Sequence, residues 1–374
     1  MAWNDRPDRR VDPTVEIYDA LVIGAGQAGL SASYHLVRRG TRHIVLDADD
    51  RPGGAWQHRW DALTMHDVHG VADLPGAKLP PDSGAERANQ FVPAYFAAYE
   101  TELGLPVERP VRVRRVHDVE GLLVVESDDG RSWTTRTLVN ATGTWSRPFV
   151  PHYPGIETFA GEQLHASDYP GPEHFRGRRI VVVGGGASAV QFIGALAPIA
   201  ETVWVTRREP VWIDREFTPE VGREVVALVE ERVRKGLPPR SVVSVTGLQL
   251  REQERAAERL GAYADRRPMF DSIEPEGVRW ADGAFERADV ILWATGFRPV
   301  IEHLGPLHLR SPLGGIRLDG TTAVADPRVQ MVGYGPSAST IGANRAGRTA
   351  ARGVAEWLRR AAPASPTPSA TPAR

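Results

Sequence analysis

The stretch Ala20-Leu21-Val22-Ile23-Gly24-Ala25-Gly26-Gln27-Ala28-Gly29 decides the fold. Its four apolar residues read as a buried strand, and the glycines that follow read as a tight turn into a helix. Glycines so placed let the backbone approach a pyrophosphate, which then rests on the amides of the helix start. The pattern recurs: Ile180-Val181-Val182-Val183 runs into Gly184-Gly185-Gly186-Ala187-Ser188-Ala189, with alanine in the last glycine's place. Eighteen residues beyond Gly29 the next strand ends in Asp47, and eighteen beyond Ala189 the strand Thr202-Val203-Trp204-Val205-Thr206 ends in Arg207, with Arg208 beside it. In a βαβ unit that position faces the adenosine ribose. A carboxylate there suits ribose hydroxyls, whereas an arginine pair suits a 2′-phosphate. Two different dinucleotides are implied, and FAD with NADPH fits the pair best. The competing reading of Arg207 and Arg208 is an exposed basic turn, with Glu209 as the ribose acid.

The chain has 374 residues, enough for two domains and a sizeable core. Its 41% hydrophobic and 25% charged content is that of a globular protein, and a net charge of −2 gives no reason to expect nucleic acid as partner. There are no cysteines, which removes disulfides, thiolate metal sites and any dithiol relay between a flavin and a substrate. No stretch reads as a signal peptide or a membrane span, so the expected location is the cytoplasm.

The expected fold class is α/β, with two doubly wound, Rossmann-like dinucleotide-binding domains. Residues 1–16 read as a disordered arm and 361–374 as a disordered tail rich in Pro, Ala and Ser. Between them, 17–150 would begin the FAD domain, 151–288 would form the NADPH domain, and 289–360 would complete the FAD domain. That makes the FAD domain discontinuous. Val111 to Trp133 alternates and turns at Asp128-Asp129-Gly130, as a small antiparallel meander does. Two strand ends are alike: Leu138-Val139-Asn140-Ala141-Thr142-Gly143 and Leu292-Trp293-Ala294-Thr295-Gly296. Small residues there imply that something flat, a cofactor or another chain segment, passes close by, and they mark Thr142, Gly143, Thr295 and Gly296 as candidate cofactor contacts.

Further motifs carry a resemblance. Phe159-Ala160-Gly161-Glu162-Gln163-Leu164-His165-Ala166-Ser167-Asp168-Tyr169 fits F-x-G-x-x-x-H-x-x-x-Y. It is similar to the fingerprint of the class B flavin-dependent monooxygenases and stands, as in that family, before the second glycine turn. Tyr169 leans the match toward the flavin-containing and N-hydroxylating members. Arg51-Pro52-Gly53-Gly54-Ala55-Trp56 resembles the GGxW loop beside the isoalloxazine, and Leu63 to Pro75 resembles the following segment of the plant auxin-pathway monooxygenases and their bacterial relatives. Val332-Gly333-Tyr334-Gly335-Pro336 and Ile341 to Gly347 resemble the strand and helix that cap the flavin's pyrimidine end. Residues 215–275, where much of a substrate pocket would lie, match no motif.

The resemblance implies an oxidoreductase in which NADPH reduces the flavin. Reduced flavin captures O2 as a C4a-hydroperoxide, and one oxygen passes to a small N-, S- or carbonyl-containing substrate. Alternatives are an NADPH:acceptor reductase or oxidase, and a redox-sensing FAD/NADP(H) protein associated with cation transport. Candidate catalytic residues are His66 and Asn344, the latter read as a flavin contact or a helix cap. Candidate cofactor-binding residues are Gly24, Gly26, Gln27, Gly29, Asp47, Gly54, Trp56 and His66 toward FAD. Thr142, Gly143, Thr295, Gly296 and Gly335 lie at strand ends and on the cap, while His165, Gly184, Gly186, Ser188, Arg207 and Arg208 face NADPH. His66 and His69 lack the carboxylate company of a metal site, so no metal is expected.

Overall fold

The fold is known from a computed structural model that describes residues 16–68, 70–212, 228–239, 247–248, 250, 252–338 and 340–361. Nearly all of the expected arm and tail, His69, and much of 215–275 lie outside the described residues.

Strand β1 (Ile17–Ile23) leads through the first glycine turn into α1 (Gln27–Val37), then β2 (His43–Leu46), α2 (Ala88–Glu102) and β3 (Val107–Glu108). The antiparallel meander β4 (Val113–Val119), β5 (Leu122–Ser127) and β6 (Ser132–Asn140) follows. The end of β6 also pairs in parallel with β1, so one strand serves both the meander and the main sheet. Next come β7 (Glu162–His165), β8 (Arg179–Val183), α3 (Ala187–Leu196) and β9 (Glu201–Val205). After α4 (Glu252–Arg259) stand β10 (Ser272–Glu274), β11 (Gly277–Arg279), β12 (Phe285–Arg287) and β13 (Val290–Trp293). The chain closes with β14 (Leu318–Asp319), β15 (Thr322–Ala323), β16 (Val329–Met331) and α5 (Thr340–Ala361).

Two sheets carry the fold. The first runs β14-β15-β16-β6-β1-β2-β3, parallel from β16 to β3. The second, β7-β13-β8-β9, is parallel throughout. Strands buried on both faces need continuous apolar runs, and Val290-Ile291-Leu292-Trp293 and Ile180-Val181-Val182-Val183 supply them. Because β16 returns beside β6, the first sheet is assembled from both ends of the chain. The expected return at residue 289 is too early. Val290–Trp293 pairs with β7 and β8, so the chain crosses back only after Gly296.

On one face of the first sheet, α1 lies against α5 at close range. The buried small residues Ala28, Ser31 and Ala32 make this possible. A methyl group on Gly347 would stand 2.4 Å from Ser31 Oγ and 2.7 Å from the Ala32 nitrogen, so only glycine fits. The other face carries the meander core of Val116, Leu123 and Val125, with Leu304, Leu309 and Ile316. In the second half, Phe192, Ile193 and Leu196 of α3 cover one sheet face, while Phe270, Val278 and Trp280 cover the other.

Candidate functional site

At the first turn the glycines have three separate reasons. Gly24 has φ +99°, donates its N–H to the Leu46 carbonyl at 2.7 Å, and would place a Cβ 2.6 Å from the Ala141 carbonyl oxygen. A Cβ on Gly29 would stand 1.8 Å from the Gly24 oxygen, which is close helix–strand packing. Gly26 differs: a Cβ there would meet only Gly54 Cα at 3.9 Å, with an ordinary negative φ. Protein packing does not call for glycine at 26, whereas backbone approach to a phosphate does. Gly54 (φ +50°) brings the Gly53-Gly54 loop against this turn, where its own Cβ would stand 2.8 Å from Gly26 Cα.

The second turn repeats the pattern. Gly184 has φ +148°, donates to the Val205 carbonyl at 2.9 Å, and would place a Cβ 2.2 Å from the Ala294 oxygen. A Cβ on Gly186 would meet nothing within 4 Å. Neither α1 nor α3 has a side-chain cap or an acidic residue in its first turn, and Ser188 is exposed in the first turn of α3. Both helix starts therefore keep unpaired amides where an anion is favoured. The residues present fit two dinucleotide diphosphates.

The ribose positions are less alike than expected. Strand register pairs Ile23 with Leu46 and Val183 with Val205, so the counterpart of Asp47 is Thr206, and Arg207 stands one residue beyond. The second unit is one residue shorter between turn and strand end, which counting from the last motif position hides. Asp47 is buried. It accepts from the Ala25 amide at 3.3 Å and from Arg109 Nε at 2.9 Å, while Arg109 also holds both oxygens of Glu100. Burial pushes the Asp47 carboxyl above its ordinary range, opposed by the Arg109 charge. Thr206 donates to the Arg208 carbonyl at 2.7 Å and accepts from Arg266 at 3.1 Å. Arg207 and Arg208 are exposed. Glu209 is exposed too and pairs with Arg266 at 3.2 Å. Arg266 lies in the motif-less segment, so no sequence signal announced it.

The Ala-Thr-Gly ends answer the question of what passes close by. Ala141 and Ala294 abut Gly24 and Gly184. Their neighbours stitch the two crossings together: Thr142 Oγ1 donates to the Val300 carbonyl at 2.6 Å, and Thr295 Oγ1 donates to the Phe149 carbonyl. The Val300 amide donates to Gly143 and the Phe149 amide to Gly296, both at 3.0 Å. Gly143 (φ +63°) and Gly296 (φ +80°) are glycines for backbone reasons, since a Cβ on either would meet nothing within 4 Å. The threonine hydroxyls expected at the cofactors thus hold one crossing to the other.

The fingerprint is likewise built into the frame. Phe159 and Tyr169 pack on opposite faces of the second sheet, and a Cβ on Gly161 would stand 2.5 Å from the Asp289 oxygen. His165 is buried and its Nδ1 accepts the Ser167 amide at 3.1 Å, so Nε2 carries the proton and donates to the Gly296 carbonyl at 3.0 Å. Burial holds its pKa below the ordinary value. His165 ties the fingerprint strand to the second crossing.

Other candidates separate. Gly335 (φ +60°) packs against Val233, whose Cγ2 would lie 2.7 Å from an added Cβ. Asn344 is the fifth residue of α5 rather than its cap. Its amide donates to the Asp73 carbonyl, as Gln27 donates to Ala72 at 3.0 Å, and the carbonyl oxygen of each side chain is buried without a partner. Trp56 is half-buried against the core of the first half. His66 is exposed and lines a cavity of about 150 Å³ with Trp60, Leu63, Tyr169 and Phe192, between the two halves. Asn344, the other candidate catalytic residue, does not line this cavity.

Residues 18–334 match the profile of the pyridine nucleotide-disulphide oxidoreductases. The chain belongs to this family. A flavin-containing monooxygenase from Stenotrophomonas maltophilia superposes with a TM-score of 0.79 at 37% identity, covering 92% of this chain and 100% of that one. The indole-3-pyruvate monooxygenase YUCCA1 of Oryza sativa subsp. japonica is 27% identical over 317 residues, 75% of this chain and 76% of the relative. The uncharacterized oxidoreductase CzcO of Bacillus velezensis is 27% identical over 208 residues, 52% of this chain and 60% of the relative, less than two thirds of that protein's length. This family member is an oxidoreductase on the flavin monooxygenase side, and it contains no cysteine for dithiol chemistry. Among the described residues no helix is long and apolar enough to cross a membrane.

Proposed function

We propose that the protein is an NADPH-dependent FAD monooxygenase that inserts one atom of O2 into a small N-, S- or carbonyl-containing molecule. The observation that carries this reading is the pair Gly26 and Gly186, two glycines that packing does not require, each at an uncapped helix start. The α1 amides would hold the FAD diphosphate, with Asp47 toward the adenosine ribose. The α3 amides would hold the NADPH diphosphate, with Arg207, Arg208 and Arg266 toward the 2′-phosphate. When bound, FAD supplies hydride acceptance and O2 activation. The chain's part is orientation: His165, Thr142 and Thr295 keep the crossings, and so the two turns, in register. The two solitary buried oxygens of Gln27 and Asn344 are acceptors suited to the N–H groups of a bound ring system. The names of the Stenotrophomonas and rice relatives support oxygenation as the reaction class.

The deciding experiment measures NADPH oxidised, hydrogen peroxide released and oxygenated product formed with amines, thioethers and ketones. Product formed mole for mole with NADPH, at the expense of peroxide, is the expected result. Stoichiometric peroxide with every substrate would make the protein an NADPH oxidase, and flavin that NADPH leaves oxidised would remove the nucleotide assignment.

A further inference from the structure

Arg59 follows the turn Gly54–His58, and backbone bonds set its place. Its amide donates to the Trp56 carbonyl at 3.1 Å, and the Arg59 carbonyl accepts from Asn89 Nδ2 at 2.9 Å. Its guanidinium lies against two indoles, Cζ being 4.4 Å from the Trp145 ring centroid and 5.8 Å from that of Trp56. Nε is buried with no hydrogen-bond partner, and no carboxylate among the described residues pairs with the group. Burial pulls its pKa down to about 10, which leaves it charged at neutral pH. Arg59 as a whole is half-buried, and a partly buried charge without a counter-ion carries a cost. Arg109 shows the ordinary solution in the same half: it too faces inward, and two carboxylates hold it.

The place is as informative as the missing partner. Trp145 stacks on Phe297 at 5.0 Å, and Phe297 meets the His165 ring edge-on at 4.9 Å. Trp145 stands two residues after Gly143 and Phe297 one after Gly296, so the guanidinium stands at one end of an aromatic ladder spanning the two crossings. The indoles lie against the guanidinium without taking up its N–H groups, and a guanidinium can grip a planar or tetrahedral oxyanion through them.

We propose that Arg59 binds an oxyanion of a molecule that enters between the two halves, either a carboxylate of the substrate or the diphosphate of NADPH. The proposal rests on the FAD–NADPH reading above. Its test uses the flavin-loaded protein and the variants Arg59→Gln and Arg59→Lys. Flavin absorbance follows titration with 3-phenylpropionate and with its neutral amide, and flavin reduction gives a KM for NADPH. If the oxyanion belongs to the substrate, the wild type binds the acid at least tenfold more tightly than the amide. Arg59→Gln then erases that preference and Arg59→Lys keeps part of it. If it belongs to the nucleotide, the acid has no advantage, and KM for NADPH rises at least tenfold in Arg59→Gln and less in Arg59→Lys.

Unchanged acid preference and unchanged KM in a flavin-loaded variant overturn the proposal. So does loss of flavin from variants that stay folded by circular dichroism, because the anion is then the flavin's own phosphate. Should Arg59→Gln not fold, a wild type indifferent to the acid together with an Arg59→Lys of normal KM overturns it equally. A wild type whose flavin NADPH does not reduce refutes the FAD–NADPH reading instead.

Discussion

The two glycine turns are built to one plan and finished differently. In each, a strand delivers a first glycine whose missing Cβ makes room for an Ala-Thr-Gly strand end, and a second glycine opens a helix. They part at three places. The helix–strand contact needs Gly29 in the first turn and is made by the fully buried Ala189 in the second. The strand end carries buried Asp47 in the first, held by Arg109, and Thr206 followed by exposed arginines in the second. Before the alanine, the first half has Asn140, bonded to buried His303 at 2.6 Å, whereas the second has Trp293, whose indole donates to Gln163 at 3.2 Å. The shared plan makes two nucleotide-binding units, and these three places are where the units can be told apart.

The largest effect expected from breaking this comparison is at the third position. Gly29→Ala forces a methyl group against the Gly24 carbonyl, and overpacking against backbone should cost about 3 kcal/mol of stability. Ala189→Gly should cost only about 1 kcal/mol. Equal losses in urea unfolding would mean that the two contacts are the same after all.

In the first half, acid should act through His303. Burial pushes the pKa of His303 down to about 4 from an ordinary 6.5. Below pH 6.5 the unfolded chain takes up a proton that folded His303 refuses, so stability falls as pH drops toward about 4, by at most about 3 kcal/mol. His303→Gln should flatten that stretch of the stability–pH curve. A curve of unchanged slope would show that other groups govern it.

Gly26→Ala sharpens the comparison, because the protein tolerates the methyl group and the phosphate does not. The variant should fold with normal stability and lose flavin affinity about a hundredfold, roughly 2.7 kcal/mol, purifying colourless. Full flavin occupancy would remove Gly26 from the site. Arg207→Ala should raise KM for NADPH about tenfold, close to 1.4 kcal/mol, with NADH little changed. Equal changes for both nucleotides would put the 2′-phosphate elsewhere. The smallest effect is expected of His165→Ala, which loosens the fingerprint strand from Gly296. Flavin reduction should persist while a severalfold larger share of NADPH ends as hydrogen peroxide. Blocked reduction would place His165 in hydride transfer instead.

Much of this was legible in one dimension because it depends on short-range geometry. A strand, a positive-φ glycine and an uncapped helix start lie within ten residues, and both turns could be read from Ala20 to Gly29 and from Ile180 to Ala189. That the first domain is discontinuous and completed by the C-terminal part of the chain was legible too, though not where the chain returns. Equal spacing from the last motif position sets Arg207 opposite Asp47, whereas the pairing of Val183 with Val205 puts Thr206 there, because the second unit is one residue shorter. The strand Val290–Trp293 went to the wrong side of the boundary because a buried parallel strand looks the same in either sheet.

By itself the sequence determined two nucleotide-binding βαβ units, the absence of thiol chemistry and the oxidoreductase family, since each follows from residue type and local spacing. The tertiary structure alone decided which hydroxyls, amides and charges remain available. Thr142 and Thr295 bind the crossings, Asn344 holds the Asp73 carbonyl, and Arg59 is left without a counter-ion among the described residues. Those outcomes depend on groups tens or hundreds of residues apart meeting at hydrogen-bond distance, and a side chain's partner across a cleft leaves no periodicity or spacing in the chain to read.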